Sequence, residues 1–174
     1  MTGEHLKAEA RVVLTGLDEN GKSTFVSDAN TTVRTAQPGF TVMELWQFDS
    51  LPANVLAPST LGDNPVIDPP PAGLVVRLAS FPPDSEYDAV AFKESLDAFG
   101  HDENDGNGSA ELWHETDTID VVTIIEGEIY AVTETGETLL KPGDTVVNRG
   151  VKHIWSNRSD KPCLLSATMM AGTR

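Results

Sequence analysis

The sequence of 174 residues contains a single cysteine, Cys163, so an internal disulfide bond is excluded. Because this cysteine begins the apolar run Cys163-Leu164-Leu165, we expect a buried small hydrophobic side chain rather than a reactive thiol. The chain also lacks an apolar run of the ~20 residues needed to span a bilayer. Its first residues lack the apolar core of a signal peptide. We therefore expect a cytoplasmic protein that has no membrane as a partner.

Basic residues are scarce. The chain has 12 lysines and arginines against 27 aspartates and glutamates, which gives a formal net charge of −15 at pH 7. Nucleic acids and anionic membranes both reward basic patches, so this balance argues against either as a partner. It leaves a small-molecule ligand open, because a few residues set the field inside a pocket. With 39% hydrophobic residues, residues 1–174 suit one globular domain.

The N-terminal part is expected to be a β extension. Two β-type runs, residues 11–15 and 22–27, flank Asn20-Gly21, which is a strong hairpin signal. Residues 16–23 also match the phosphate-loop pattern G-x-x-x-x-G-K-[ST]. That motif needs a helix after the loop, whose amides hold the phosphate, whereas β-forming residues follow here. We therefore predict a hairpin and not a nucleotide site.

The middle of the chain combines extended segments with one helix. Residues 40–48 and 74–81 are predicted strands, and Trp46 is expected to be a core or pocket aromatic. The proline-rich stretch 49–73 is predicted to be an extended loop, since proline removes amide donors and restricts the preceding residue. It either lies on the surface, which is the simpler interpretation, or covers a pocket mouth. Residues 88–99 are the best helix candidate.

Two of the four histidines fall in polar stretches. His101 opens the oxygen-rich segment 101–109, which lacks the spacing of a calcium loop and is predicted to be a solvated acidic loop. His5 lies in a polar N-terminal arm and is expected at the surface. The other two, His114 and His153, belong to the segment that carries the candidate site.

The segment 113–157 organises the chain. It consists of short β-type runs separated by turn signals at Gly127, Gly136, Pro142-Gly143 and Gly150. Such a succession is typical of a small antiparallel barrel or sandwich. We therefore predict a mainly β protein. Its jelly-roll barrel is formed largely by residues 74–171, with N-terminal strands and the proline-rich loop in residues 1–73.

Strand alternation places a candidate site at the two ends of this segment. Residues two apart share one face of a strand, so His114, Thr116 and Asp120 point to the same side. His153 and Trp155 share a face in the same way. A closed barrel turns both faces inward and brings two imidazoles and a carboxylate together. This set suits Fe(II), Mn(II), Ni(II) or Zn(II) and leaves positions open for substrate.

The same residues resemble the two sequence motifs of the cupin superfamily of small β-barrels. The first motif reads G-x5-H-x-H-x3,4-E-x6-G, and the chain supplies His114, Thr116 for the second histidine, Asp120 for the glutamate, and Gly127. The second reads G-x5-P-x-G-x2-H-x3-N, and the chain supplies Gly143, Asn148 for proline with one residue fewer between, Gly150, His153 and Asn157. Residues 11–21 and Pro82-Pro83 resemble small single-domain cupins of bacteria and fungi, some found near secondary-metabolism genes.

The resemblance implies a double-stranded β-helix with a divalent metal ion inside the barrel. His114, Asp120 and His153 match the ligand positions. Thr116 departs from the pattern, because a hydroxyl is a poor ligand for a soft or borderline metal, and it becomes a substrate-side wall residue beside Trp155. The aspartate is also one methylene shorter than the family's glutamate. The resemblance further implies a homodimer, with the N-terminal strands in the interface.

Three functions remain open at this point. The first is a metal-dependent enzyme acting on a small oxygenated or carboxylated molecule, by isomerisation, decarboxylation, dehydration or dioxygenation. The second is a metal-free module that binds a small molecule, and the third is an accessory role. Arg149, in the turn before His153, is a further candidate for binding an anionic substrate, with a surface position as the alternative.

Overall fold

The computed structural model describes residues 3–100 and 113–174, and within them the protein is mainly β, as predicted. The predicted helix forms as α1 (Ala89–Ala98), capped by Asp88, whose carboxylate accepts the Ala91 amide at 2.9 Å. The predicted acidic loop 101–109 and its His101 lie outside the described residues. The strands are β1 (Arg11–Leu17), β2 (Ser23–Asn30), β3 (Arg34–Gln37), β4 (Phe40–Phe48), β5 (Leu74–Phe81), β6 (Thr118–Glu126), β7 (Ile129–Thr133), β8 (Gly136–Leu140), β9 (Thr145–Arg149), β10 (His153–Ser156) and β11 (Cys163–Ala171).

Two antiparallel sheets form the barrel. The larger has the order β3-β4-β5-β11-β6-β9, and the smaller has the order β10-β7-β8. The last strand of the chain, β11, lies between β5 and β6, which is the crossing expected of a jelly roll. Because β3 and β4 extend the larger sheet, the barrel also uses residues that precede the predicted core of 74–171.

The core lies between the two sheets and follows from strand alternation. Along β11, Cys163, Leu165, Ala167 and Met169 are buried in turn, and the residues between them are partly exposed. Cys163 is a free, fully buried thiol, so its predicted role as a small hydrophobic side chain is confirmed. Helix α1 closes the core from outside the sheets through Phe92.

The predicted N-terminal hairpin is confirmed. β1 and β2 pair as a two-stranded antiparallel sheet of their own, separate in hydrogen bonding from both barrel sheets. Its turn uses Gly21 at φ 74°, and the Asp18 carboxylate accepts the amides of Asn20 and Lys22, each at 2.8 Å. A strand and not a helix follows the loop, so the phosphate-loop interpretation is excluded.

Two expectations for the N-terminal half need correction. His5 is buried, not at the surface, and its Nε2 lies 3.1 Å from the Gln37 carbonyl. The short 3-10 helix Glu4–Lys7 carries it there, against the barrel. Trp46 is half-buried and packs edge-to-face on Phe48 at 6.0 Å, away from the cavity wall. No helix in the described part of the chain is long and apolar enough to cross a bilayer.

Candidate functional site

A cavity of about 100 Å³ lies inside the barrel. Most of its wall is apolar, and its aromatic part is a cluster in which Phe40 packs against Phe81, Phe92 and Phe99 at centroid distances of 5.8–6.3 Å. Five predicted site residues line this cavity together with Arg77 on β5. The five are His114, Thr116, Asp120, His153 and Trp155.

A bridge between two backbones brings the histidines together. The His114 amide donates to the His153 carbonyl at 3.1 Å, and the His153 amide donates back at 3.0 Å. The centroids of the two imidazole rings lie 4.3 Å apart. The turn before His153 passes close to the segment that leads into β6, since a Cβ on Gly150 would lie 2.9 Å from the Thr116 carbonyl oxygen. Gly150 also has a φ of 60°, so both conformation and space favour glycine there.

The run into β6 follows the predicted alternation. Thr116, Thr118 and Asp120 are buried, whereas Asp117 and Ile119 between them are exposed. The two threonine hydroxyls lie 2.6 Å apart and hydrogen-bond to each other. Asp120, which is only 6% exposed, lines the cavity together with His114, Thr116 and His153. We call the part of the cavity lined by these four polar side chains its polar end.

Asn148 on β9 connects Asp120 with His153. The register of the sheet pairs Asp120 with Asn148, and the Asn148 Nδ2 lies 3.4 Å from Asp120 Oδ2. The same nitrogen lies 3.1 Å from His153 Nδ1 and 3.4 Å from His153 Nε2. An amide nitrogen only donates, so it is Nε2 that accepts from Asn148 when Nδ1 carries the proton. The other carboxylate oxygen, Asp120 Oδ1, is buried without a hydrogen-bond partner among the described residues. An unsatisfied buried oxygen is costly, and this one faces a cavity that a ligand can fill.

His153 is held in one tautomer. Its Nδ1 lies 2.9 Å from the Val151 carbonyl, which only accepts, so Nδ1 carries the proton and the neutral ring keeps its lone pair on Nε2. Burial lowers the pKa of His153, although the Val151 hydrogen bond and the Asp120 carboxylate act in the opposite direction. The neutral imidazole is therefore favoured. The ring packs at 86° to Trp155, with centroids 5.8 Å apart.

Burial also dominates the electrostatics of Asp120. Desolvation raises its pKa, and the neighbouring Thr118 hydroxyl, His153, Asn148 and Arg77 oppose this shift only in part. Burial thus shifts the pKa of Asp120 upward and the pKa of His153 downward, so it weakens the charged form of each group.

The predicted metal ligands share the cavity wall but are not grouped as a metal centre. In residues 3–100 and 113–174, no three His, Cys, Asp or Glu side chains are arranged so that they could hold one ion. Thr116 occupies the place of a second motif histidine, and Asn148 contacts both Asp120 and His153. The individual donor atoms still suit a metal. His153 Nε2 is oriented by the Nδ1 bond and would exchange its 3.4 Å contact with Asn148 for the ion, and Asp120 Oδ1 has no hydrogen-bond partner among the described residues.

Arg149 does not join the site. It is exposed on β9 opposite Ile119 and does not line the cavity. The arginine that reaches the cavity is Arg77 on β5, which the sequence analysis did not select. It is 4% exposed and pairs with the buried Glu44 at 3.1 Å. The sequence did contain a signal for it: Arg77 stands between Val75 and Ala79 on the apolar face of a predicted strand, where a charged residue is unusual.

Part of the proline-rich loop covers the cavity, so the simpler interpretation of a plain surface loop is wrong for this part. Ile67 lines the cavity, and its amide donates to the Phe99 carbonyl at 3.0 Å just after α1. Arg77 holds both segments: it donates to the Ile67 and Val66 carbonyls at 2.9 and 3.1 Å, and it stacks 5.1 Å from the Phe99 ring centroid. The loop and the end of the helix therefore form one cover.

The chain resembles several known proteins. No family model matches the chain. It is 45% identical over 53 residues to phomopsin biosynthesis cluster protein D of Diaporthe leptostromiformis and to oryzines biosynthesis cluster protein J of Aspergillus oryzae. It is 42% identical over 50 residues to the cupin-domain-containing oxidoreductase srdB of Neurospora crassa. These matches cover 28–30% of this chain and 26–30% of the relatives, so the aligned part spans less than a third of each curated relative.

Among solved structures, the Cnp3 cupin domain of Schizosaccharomyces pombe is similar with a TM-score of 0.49 and 11% identity, over 94% of this chain and 89% of that one. A cupin domain from Bordetella pertussis has a TM-score of 0.35 and 20% identity, over 57% of this chain and 82% of that one. The strand order defines a small jelly-roll barrel with an internal polar site. The predicted mainly β jelly-roll barrel is therefore confirmed.

Proposed function

We propose that the protein binds a small organic molecule with an oxygen function inside its barrel. The observation that carries this proposal is the buried Asp120 Oδ1, which lacks a hydrogen-bond partner among the described residues and lies at the polar end of an otherwise apolar cavity. Small-molecule sites commonly combine an apolar wall with a few convergent polar groups. A ligand oxygen at this end satisfies Asp120, and Trp155 and the phenylalanine cluster enclose the rest of the molecule.

A second candidate function is metal-dependent catalysis on such a molecule. It is supported by the fixed His153 tautomer, which presents Nε2, and by the free Asp120 oxygen. His114, Asp120 and His153 would hold a divalent ion, Fe, Mn, Ni or Zn, if their side chains drew closer together than in the described arrangement, and Thr116 would leave a position open beside it. The ion would supply Lewis-acid polarisation of a substrate oxygen. Isomerase, decarboxylase, dehydratase and dioxygenase chemistry all fit a small oxygenated or carboxylated substrate.

Metal analysis of protein purified without a histidine tag separates the two functions. The enzyme candidate requires about one Mn, Fe, Ni or Zn per chain, lost in His153→Ala. The binding candidate requires that a short alcohol such as butan-1-ol binds the metal-free protein, with a change in the fluorescence of Trp155. Ala167→Leu, which fills the cavity wall, should remove that binding, whereas the exposed Ala29→Leu should not. Equal binding to wild type and Ala167→Leu would place the ligand outside the barrel.

A further inference from the structure

Arg77 lies next to the polar end of the cavity. On β5 the inward positions are Val75, Arg77 and Ala79, and the sheet register places Val75 beside Met169, which in turn pairs with Asp120. Arg77 is therefore one inward position further along the barrel than Asp120. The offset along the strands is roughly 7 Å, and because β11 lies between β5 and β6 the two backbones are also about 10 Å apart across the sheet. Both side chains line the cavity, so they span part of that distance and leave room for a short carbon chain between them.

The hydrogen bonds of Arg77 use only part of its donors. A guanidinium has five N–H groups. Nε donates to Glu44 Oε2 at 3.2 Å, Nη1 to the Ile67 carbonyl and Nη2 to the Val66 carbonyl. Glu44 Oε1 lies 3.1 Å from Nη2, yet it receives no hydrogen bond from any described residue. Nη2 is thus engaged by the Val66 carbonyl and by the Glu44 ion pair, whereas Nη1 retains one N–H group that the described residues do not satisfy, on a side chain that lines the cavity.

A purely structural role does not account for this N–H group. Arg77 secures the cover through two carbonyls and the Phe99 ring, and Glu44 balances its charge. Those contacts engage Nε, Nη2 and one N–H group of Nη1, which leaves the second N–H group of Nη1 at the cavity wall. Because the charge is already balanced, an added acceptor need not be charged. A hydroxyl or carbonyl oxygen is sufficient.

We propose that Arg77 is a specificity-determining residue that donates a hydrogen bond to a second oxygen of the ligand. This inference rests on the proposed function, in which the first oxygen lies at Asp120. The ligand class is then a short, uncharged molecule with an oxygen at each end of an apolar chain. The apolar side chains of Val122 and Ala167, which occupy the same level of the sheet as Arg77, face the part of the chain nearer Arg77.

The experiment compares butane-1,4-diol with butan-1-ol, two probes that differ by one terminal hydroxyl. Their affinities are measured by NMR on the indole N–H signal of Trp155, which Trp155→Phe identifies. Wild type should bind the diol about tenfold more tightly, because hydrogen bonds from charged donors are the stronger ones. The double variant Arg77→Met/Glu44→Leu removes the donor without leaving an unpaired buried charge, and it should prefer butan-1-ol.

Arg149→Met is the matched control, since it removes an exposed arginine that does not line the cavity and keeps every Arg77 donor, and it should retain the preference for the diol. Thermal unfolding of each variant verifies that it is folded. If the diol preference is the same in wild type and in the double variant, the role of Arg77 is refuted while the binding cavity stands. If neither probe shifts the Trp155 signal of wild type, the proposed function is contradicted together with this inference.

Discussion

His114 and His153 exchange two backbone hydrogen bonds across an isolated antiparallel bridge, and their rings lie 4.3 Å apart. The bridge joins the segment that enters β6 in the larger sheet to the start of β10 in the smaller sheet. It therefore fixes the distance between the two halves of the candidate site through backbone atoms. Side-chain substitutions at this end can change its chemistry while the barrel remains closed.

Thr116→His tests the metal-dependent alternative. Thr116 lines the same cavity as His114 and Asp120, so an imidazole there supplies the donor that the cupin motif has and this chain lacks. We expect Zn(II) or Mn(II) to bind about tenfold more tightly, or more, since one strong ligand replaces a weak one. Isothermal titration calorimetry on purified protein measures this. Thr116→Val is the control, and equal affinities of the two variants would show that position 116 does not face an ion.

The Arg77–Glu44 pair predicts a marked non-additivity in stability. Both side chains are buried, with exposures of 5% and 1%, so Arg77→Met leaves an uncompensated carboxylate. We expect it to lower the free energy of unfolding by about 3–5 kcal/mol. Arg77→Met/Glu44→Leu should recover most of this loss, because it leaves no buried charge unpaired. Urea unfolding of the two variants and wild type gives the values, and a double variant as unstable as the single one would contradict the prediction.

Local alternation predicted the parts of the site that depend on one strand at a time. Thr116 and Asp120 are two and six residues from His114, so their common face follows from sequence. Asn148 was missed because its contact with Asp120 depends on the register between β6 and β9, which a single strand does not specify. Arg77 meets Glu44 through another such register, between β5 and β4.

The cover formed by the proline-rich loop and the end of α1 shows a second reason why part of the site could not be predicted from the sequence. Residues 49–73 have no periodic pattern, because proline suppresses both helix and ladder hydrogen bonds. The contact of Ile67 with the carbonyl of Phe99 joins two segments with no common signal in the sequence. For Arg149 the sequence suggested a contact that the fold does not make. This residue is close to His153 in sequence, but it lies on the outer face of β9.

The homodimer stays a prediction, and the structure suggests where to test it. A hairpin of two strands is marginally stable alone, yet β1 and β2 form a separate sheet with large apolar side chains exposed, among them Phe25 at 74% and Leu17 at 50%. We expect Phe25→Ser to shift a dimer toward monomer in light scattering at micromolar concentration. Val55→Ser, at a position 92% exposed in the proline-rich loop, is the control and should leave the mass unchanged. A monomeric wild type would refute the dimer.

The thiol of Cys163 predicts a pH dependence of stability. Burial raises its pKa to about 12, and the nearby Glu128 acts in the same direction. In the unfolded chain a cysteine has a pKa of about 8.5, so above that pH the unfolded state releases a proton that the folded state keeps. The contribution of this thiol to stability is therefore fully present below about pH 8 and is lost as the pH rises from about 9 toward 12.

Two measurements test this difference between the pKa of Cys163 in the folded and in the unfolded protein. A thiol reagent such as 5,5′-dithiobis(2-nitrobenzoate) should not react with the native protein at pH 8, because the buried side chain is inaccessible and protonated. It should titrate one thiol per chain in urea. In urea unfolding between pH 8 and 11, wild type should lose more stability than Cys163→Ala, whose other titrating groups are the same. Rapid labelling of the native protein, or parallel pH profiles for the two proteins, would show that Cys163 ionises as freely in the fold as outside it.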